Sequence, residues 1–340
     1  MHLSLTPQNG EHKEEKKMKM KKVLSIVLAA IMVVTLLAAC GGGKSATKMT
    51  MGTGGTAGTY YAFGGVLGQY IQNKAGIEVN VVSTDGSKAN IESIDSGDYQ
   101  LGTVQSDVMA YAWAGSRSFE SNGAINSFRV VGGLYAEAVQ LITMDPNVKS
   151  VADLAGKSVS IGAPGSGTYF NAMDVLGAAG LTEADIKPQY QSFADSTDAL
   201  KDGKIDAAFI VAGAPTAAIT ELCTTNDAYL VPIDGAVADK LMADCPFYTS
   251  YSIPAGTYKG QTEDVTTVTV KATLIVSASA SDDDVYNLTK AIFDNVDAIA
   301  AENGKGKELS VENATSGMSA PFHAGAAKYY AEKGVTVETK

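Results

Sequence analysis

Past residue 47 the chain alternates short extended apolar runs with longer runs at helical spacing. Residues 48–52 read as extended, 53–59 as a glycine and threonine turn, and Tyr61, Val66, Leu67, Tyr70 and Ile71 then recur at helical intervals. Residues 78–83 (EVNVVS) alternate and are β-branched, which predicts a second strand, with 84–87 (TDGS) as its turn. Residues 88–96 predict a short helix with Ile91 and Ile94 inward, and 99–104 a third strand. Strands separated by helices imply a parallel, doubly wound α/β sheet. Ligands collect beyond the C-terminal strand ends of such sheets, where Thr53, Ser83, Gln105, Ser106 and Asp107 fall. Asp107 also reads as a helix N-cap.

Residues 129–135 and 138–143 form one long extended stretch broken at Gly132 and Gly133, long enough to leave one lobe and enter another. Arg129 at its solvent end is expected in a structural ion pair. The opening design then repeats: residues 157–162 predict a strand, Ala163 to Thr168 (APGSGT) a turn, and 169–179 a helix. Further strands are predicted at 188–193, 205–211 and 229–233, with helices at 196–202 and 216–223. The third of these turns carries Ala212, Gly213, Ala214 and Pro215. Residues 247–258 are expected to return the chain to the first lobe, and 264–277 to form a strand shared between lobes. One helix over 285–301, opened by Asp282 to Asp284, and a closing helix over about 321–333 complete the pattern. The expected division is lobe 1 at 48–136 and 250–340, and lobe 2 at 137–249.

The two glycine-rich turns carry the candidate chemistry. The first turn of a helix has backbone N–H groups with no partner inside the helix, and the aligned peptide dipoles place partial positive charge there. Gly54 and Gly55 let a ligand approach the main chain, and Thr53, Thr56 and Thr59 add hydroxyl donors. Gly165, Ser166, Gly167 and Thr168 repeat the arrangement about a hundred residues later. One such turn could be a plain connection; two make an anion cradle the better reading. Neither is a nucleotide loop. The Gly-Lys-Ser/Thr ending is missing, as is G-x-G-x-x-G, and Ser166 lacks the glycine spacing of a nucleophile elbow.

Ahead of this, residues 16–22 are basic, 23–39 are apolar, and LAAC-G follows, the pattern of a secretory signal of the lipoprotein kind. Residues 1–39 are then removed, Cys40 is lipidated, and 40–47 form a flexible tether; a membrane anchor of minimum spanning length is the alternative. The chain of 340 residues has net charge −11, and six lysines and three glutamates lie in its first 39 residues, so the mature part is more acidic still. That balance argues against nucleic acid as a partner. Arg117 and Arg129 are the only arginines, so an anionic ligand must be held mainly by neutral donors. Cys223 and Cys245 could pair in an exported protein or remain buried thiols. No cofactor or metal is expected, since the acidic trio at 282–284 lacks the spacing of a calcium loop. His323 is the only histidine past residue 39, which leaves little for a catalytic triad. Carboxylates are numerous, and a cell-surface carboxylate-dependent hydrolase is the alternative to a binding protein.

MGTGGTAGTYYAFGGVL, TVQSDVMAYAWAG, RVVGGLYAEAVQLI, IGAPGSGTYFNA, AAFIVAGAPTAAI and PAGTYKGQTEDVTTVTVKATLIVS occur in that order. Together they resemble the TAXI family of TRAP transporter solute-binding proteins over nearly the whole mature chain. The resemblance implies a two-lobed periplasmic-binding-protein-like (type II) α/β fold, a cleft closing on glutamate, glutamine or a dicarboxylate, and no enzymatic activity. It also implies an ion-gradient-driven TRAP permease as partner, and a monomer outside the cytoplasm. Carried over by position, the ligand would meet the turn from Thr53 to Tyr60, the tip at Gln105 to Asp107, the turn from Gly165 to Thr168, and Ala212, Gly213 and Pro215.

Overall fold

The computed structural model of the protein describes residues 47–340. The signal segment 1–39, the lipidation site Cys40 and the tether up to residue 46 lie outside the described residues. No helix among the described residues is long and apolar enough to cross a membrane.

The first part runs β1 (Lys48–Gly52), α1 (Thr59–Ala75), β2 (Glu78–Val82), α2 (Ser87–Asp95), β3 (Leu101–Gln105) and α3 (Ser106–Ala114), as the apolar spacing anticipates. After the long β4 (Phe128–Thr143), the alternation resumes with β5 (Ser158–Ser160), α4 (Gly167–Ala178), β6 (Lys187–Gln189), α5 (Phe193–Lys201), β7 (Ala207–Ala212) and α6 (Ala217–Thr225). Then come β8 (Tyr229–Val231), α7 (Gly235–Asp244), β9 (Thr249–Ile253) and β10 (Val265–Ser277). The chain closes with α8 (Asp282–Phe293), α9 (Val296–Glu302), α10 (Val311–Thr315) and α11 (Ala324–Glu332).

The sheet order is β2-β1-β3-β10-β4-β7-β5-β6, with β8 pairing β4 and β9 pairing β10. Parallel pairing holds within β1, β2 and β3 and within β5, β6 and β7. The fully parallel sheet expected from the sequence is corrected in the middle. There β10 runs antiparallel to β3 and β4, and β4 antiparallel to β7. The cause is the two long strands, which run side by side in opposite directions and serve both halves of the molecule.

The cores divide along these strands. Val130, Val131, Leu134 and Tyr135 of β4, with Ala272, Leu274, Ile275 and Val276 of β10, pack with Met51, Leu67, Ile91 and the C-terminal helices. Farther along β4, Val139 and Leu141 join Phe209, Val211, Val268 and Val270, whereas Ala138 and Ile142 join Ala208 and Ile210 on the opposite face. Alternate side chains of a strand point to opposite faces, so the second half of the sheet is covered on both sides. Ile253 and Tyr258 pack with this second half.

Two local expectations change. The helix expected over 285–301 breaks after Phe293: Asn295 Nδ2 donates to Ala291 O at 2.9 Å, and Asp294 is drawn to Lys290 and Lys333. A side-chain amide bonded to the backbone competes with helix continuation. Arg129 makes no ion pair among the described residues. Its guanidinium donates to Asn126 O and Phe128 O, at 2.9 and 2.7 Å, and lies 5.3 Å from the Trp113 ring centre. Cys223 and Cys245, for which the sequence leaves a bridge open, form no disulfide among the described residues. His323 N-caps α11, its Nδ1 accepting from Gly325 N at 3.2 Å, so its task is structural.

Candidate functional site

The two halves enclose a cavity of ≈ 350 Å³. Four helices begin on its wall: α1 at Thr59, α2 at Ser87, α4 at Gly167 and α5 at Phe193. α4 and α5 carry serine caps, with Ser166 and Ser192 accepting from Tyr169 N and Asp195 N at 3.3 and 3.2 Å. α1 and α2 begin after Gly58 and Gly86, which have no capping side chain. No side chain caps their first-turn N–H groups, of which Ala89 N of α2 is taken by Gly165 O, and four positive dipole ends meet one small volume. Gly86 has φ +115°, a conformation L side chains rarely adopt, and it turns the chain from Asp85 into α2.

Of the first turn, Gly54, Gly55, Thr56, Thr59 and Tyr60 line the cavity. Thr53 stands behind it, its hydroxyl donating to Val82 O at 2.6 Å and tying the end of β1 to β2. Ser83 lines the wall and donates to Gly54 O at 3.0 Å. At the tip of β3, Gln105 reaches the cavity but its two neighbours do not. Ser106 Oγ accepts from Lys271 N at 3.2 Å. Asp107 lies in the first turn of α3 rather than at its cap, which is Gln105, and accepts from Asn171 Nδ2 at 2.9 Å. In the second turn Ser166, Gly167 and Thr168 line the cavity, whereas Gly165 accepts from Ala89 N at 3.2 Å outside it. Ala212 lines it as well. Gly213 and Pro215 do not, although Gly213 O accepts from Thr59 Oγ1 at 2.9 Å and ties α1 to the end of β7.

The sequence reading missed Glu137 on the floor, Asp85 and Ser87 beside α2, and Gln191, Ser192 and Phe193 at the start of α5. Glu137 did leave a trace, being the one acid inside the apolar run of β4. It sits where the two cores part, opposite Val270 of β10, and is 1% exposed. Burial pushes its carboxyl up to about 8. Gln105 Nε2 donates to Glu137 Oε2 at 3.1 Å, while Oε1 has no hydrogen-bond partner. The Tyr60 hydroxyl lies beside the carboxyl without meeting hydrogen-bond geometry, and burial with the nearby carboxylate raises its pKa.

Hydrogen bonds cross between the halves around this cavity. Besides Thr59 to Gly213, Ala218 N donates to Ala57 O at 3.1 Å and Ala89 N to Gly165 O at 3.2 Å. Gly167 comes so close to the β3 tip that a Cβ there would collide with Gln105 Oε1 and lie 3.0 Å from Ser87 Oγ. Among the described residues no lysine or arginine lines the cavity.

Two halves joined by paired crossing strands, closed over a polar cavity, make the two-lobed periplasmic-binding-protein-like fold. The chain belongs to the NMT1-like family, whose model matches residues 51–334. A solved structure from Bordetella bronchiseptica RB50 shares the fold, at 18% identity and TM-score 0.52 over 84% of this chain and 89% of that one. The alkanesulfonate-binding protein SsuA from Xanthomonas axonopodis pv. citri, bound to MOPS, is similar at 17% identity and TM-score 0.49, with 85% and 92% covered. A putative L-cystine ABC transporter from Listeria monocytogenes is similar at 16% and 0.49, with 78% and 98% covered.

Proposed function

We propose that this protein captures a small organic anion or amino acid of the glutamate, glutamine or dicarboxylate kind and delivers it to a TRAP-type secondary transporter. The observation that carries the solute class is the convergence of four helix N-termini on a cavity with no lysine or arginine in its lining. Neutral donors and dipoles then hold the anionic group despite the acidity of the whole chain. TRAP delivery rests on the TAXI resemblance. In the same reading the protein acts as a monomer and is tethered through acylated Cys40. The lobes exchange near Glu137 in β4 and near Lys271 in β10, later than residue 250, because Val268 and Val270 pack with the second half.

Closure follows because a solute touching both halves binds the closed arrangement better than the open one. A thermal-shift screen of ligand-stripped protein against glutamate, glutamine, 2-oxoglutarate and C4 dicarboxylates tests the solute class. A binder at a hundredfold excess over Kd stabilises by about 2.7 kcal/mol, and flat melts across the panel would remove this class. Solute uptake into proteoliposomes holding the cognate permease tests the delivery. Uptake driven by an ion gradient without ATP is expected, and dependence on ATP would overturn TRAP coupling.

A further inference from the structure

Among the described residues, four buried oxygens of cavity-lining side chains have no hydrogen-bond partner: the Tyr60 hydroxyl and three acceptors, Oε1 of Gln105, of Glu137 and of Gln191. An acceptor left bare away from water is costly, so the solute that fits here brings hydrogen-bond donors as well as an anionic group. Glu137 makes the strongest demand of the three, because it can carry a full charge. The groups around it leave that demand unmet. Tyr60 of α1, whose hydroxyl lies beside the carboxyl, and Tyr135 of its own strand are phenols with raised pKa values that make no hydrogen bond to Oε1, and Gln105 of β3 satisfies only the other oxygen. Asp107 of α3 is a like charge. Lys305, the nearest cation, gives its ammonium to Glu308 at 2.7 Å, and Lys271 of β10 gives its own to Asn313 O and Ser316 O. Asp85, on the wall near α2, is the other acid of the lining.

We propose that Glu137 is the specificity residue of the cavity, its free Oε1 accepting from an ammonium group of the solute while the helix N-termini hold the solute's carboxylate. This rests on the solute-binding reading above and narrows it. α-Amino acids are accepted, and plain mono- and dicarboxylates, which bring no donor to the floor, are rejected. Burial keeps the carboxyl of the solute-free site protonated at neutral pH. An arriving ammonium favours the ionised form, so the carboxyl proton leaves to bulk water and a charge-assisted pair remains.

The test is calorimetric titration of ligand-stripped protein with pairs of solutes differing only by the α-ammonium. The pairs are L-glutamate and glutarate, L-glutamine and glutaramate, L-leucine and 4-methylpentanoate, and L-alanine and propanoate. Wild type is expected to bind the amino member of at least one pair tenfold or more tighter than its partner. At pH 7 that binding should release protons, seen as heats that differ between phosphate and Tris buffers. Glu137→Gln matches the protonated carboxyl in shape and should fold, melting no lower than wild type at pH 7. It should shrink the preference below threefold and abolish proton release, while the amine-free acid binds as before. Equal binding of both members by wild type, or an unchanged preference in Glu137→Gln, would overturn the role of Glu137 and leave the solute-binding reading standing. If no member of any pair binds well-folded wild type, that reading fails and the inference falls with it.

Discussion

Asn171 on α4 donates to Asp107 on α3 at 2.9 Å and to the Tyr248 hydroxyl at 2.7 Å, joining the two halves through a fully buried amide. Beside it Tyr248 donates to Asp174 at 3.0 Å, and Asp174 pairs with Arg117 at 2.6 Å. Arg117 in turn lies 4.5 Å from the Tyr111 ring centre. These contacts join the first half to α4, the helix that opens on the cavity wall, so closure and the ordering of the second turn are coupled.

Replacing Asn171 by Ala should leave Asp107 Oδ2 and the Tyr248 hydroxyl short of a partner. A buried polar group stripped of its partner costs about 1–3 kcal/mol. The expected outcome is a lower melting temperature and solute affinity weakened by roughly tenfold, the latter following from about 1.4 kcal/mol lost from the closed arrangement. An affinity equal to wild type would show that the latch does not bear on closure.

Stability should fall as pH rises through neutrality. Burial raises Asp107 to about 7 and Glu137 to about 8 in the folded protein. The unfolded chain ionises these groups near their ordinary values, so the native state binds more protons between roughly pH 4 and pH 8. Their contribution is fully present below the lower limit and lost progressively up to the upper one, at no more than about 1.4 kcal/mol per pH unit for each group. Thermal melts of ligand-stripped protein from pH 5 to 8 should show the decline, with a shallower slope in Glu137→Gln. A flat profile would mean that water reaches the floor and solvates the carboxylate.

Two glycines of the cradles should separate binding from folding. A Cβ on Gly55 meets nothing within 4 Å, so Gly55→Val should fold normally while its side chain occupies cavity space. Loss of solute affinity by tenfold or more, with a melting temperature near wild type, is expected from calorimetry paired with thermal melts. A Cβ on Gly165 would lie 3.0 Å from the Asp85 Cβ and 3.2 Å from the Ala89 Cβ, across the gap between halves. Gly165→Val should therefore oppose closure, seen as a larger radius of gyration in small-angle scattering with solute present.

Cys223 is buried and Cys245 only partly so, and both are free. Reducing agent should leave the melting temperature unchanged. Iodoacetamide should label Cys245 faster than Cys223 in the native protein. A drop in melting temperature on reduction would point to a bridge.

The sequence settled what is local. The strand-turn-helix repeats were legible because each is a contiguous run whose apolar spacing sets its own conformation. The glycine and hydroxyl turns were legible because an anion cradle is built from consecutive residues. Gly54, Gly55, Tyr60, Ser166 and Thr168 reach the cavity on that basis. Only the tertiary structure decided the rest. Glu137 is an unremarkable acid in a strand until β4 and β10 run antiparallel and bring it under the cavity, where two cores separate and water is excluded. Likewise Thr53, Ser106 and Asp107 stand at the expected strand ends yet turn to neighbouring backbone and to Asn171. The direction a side chain takes at a strand tip depends on what packs against it from distant parts of the chain, and that packing leaves no mark in the neighbouring residues.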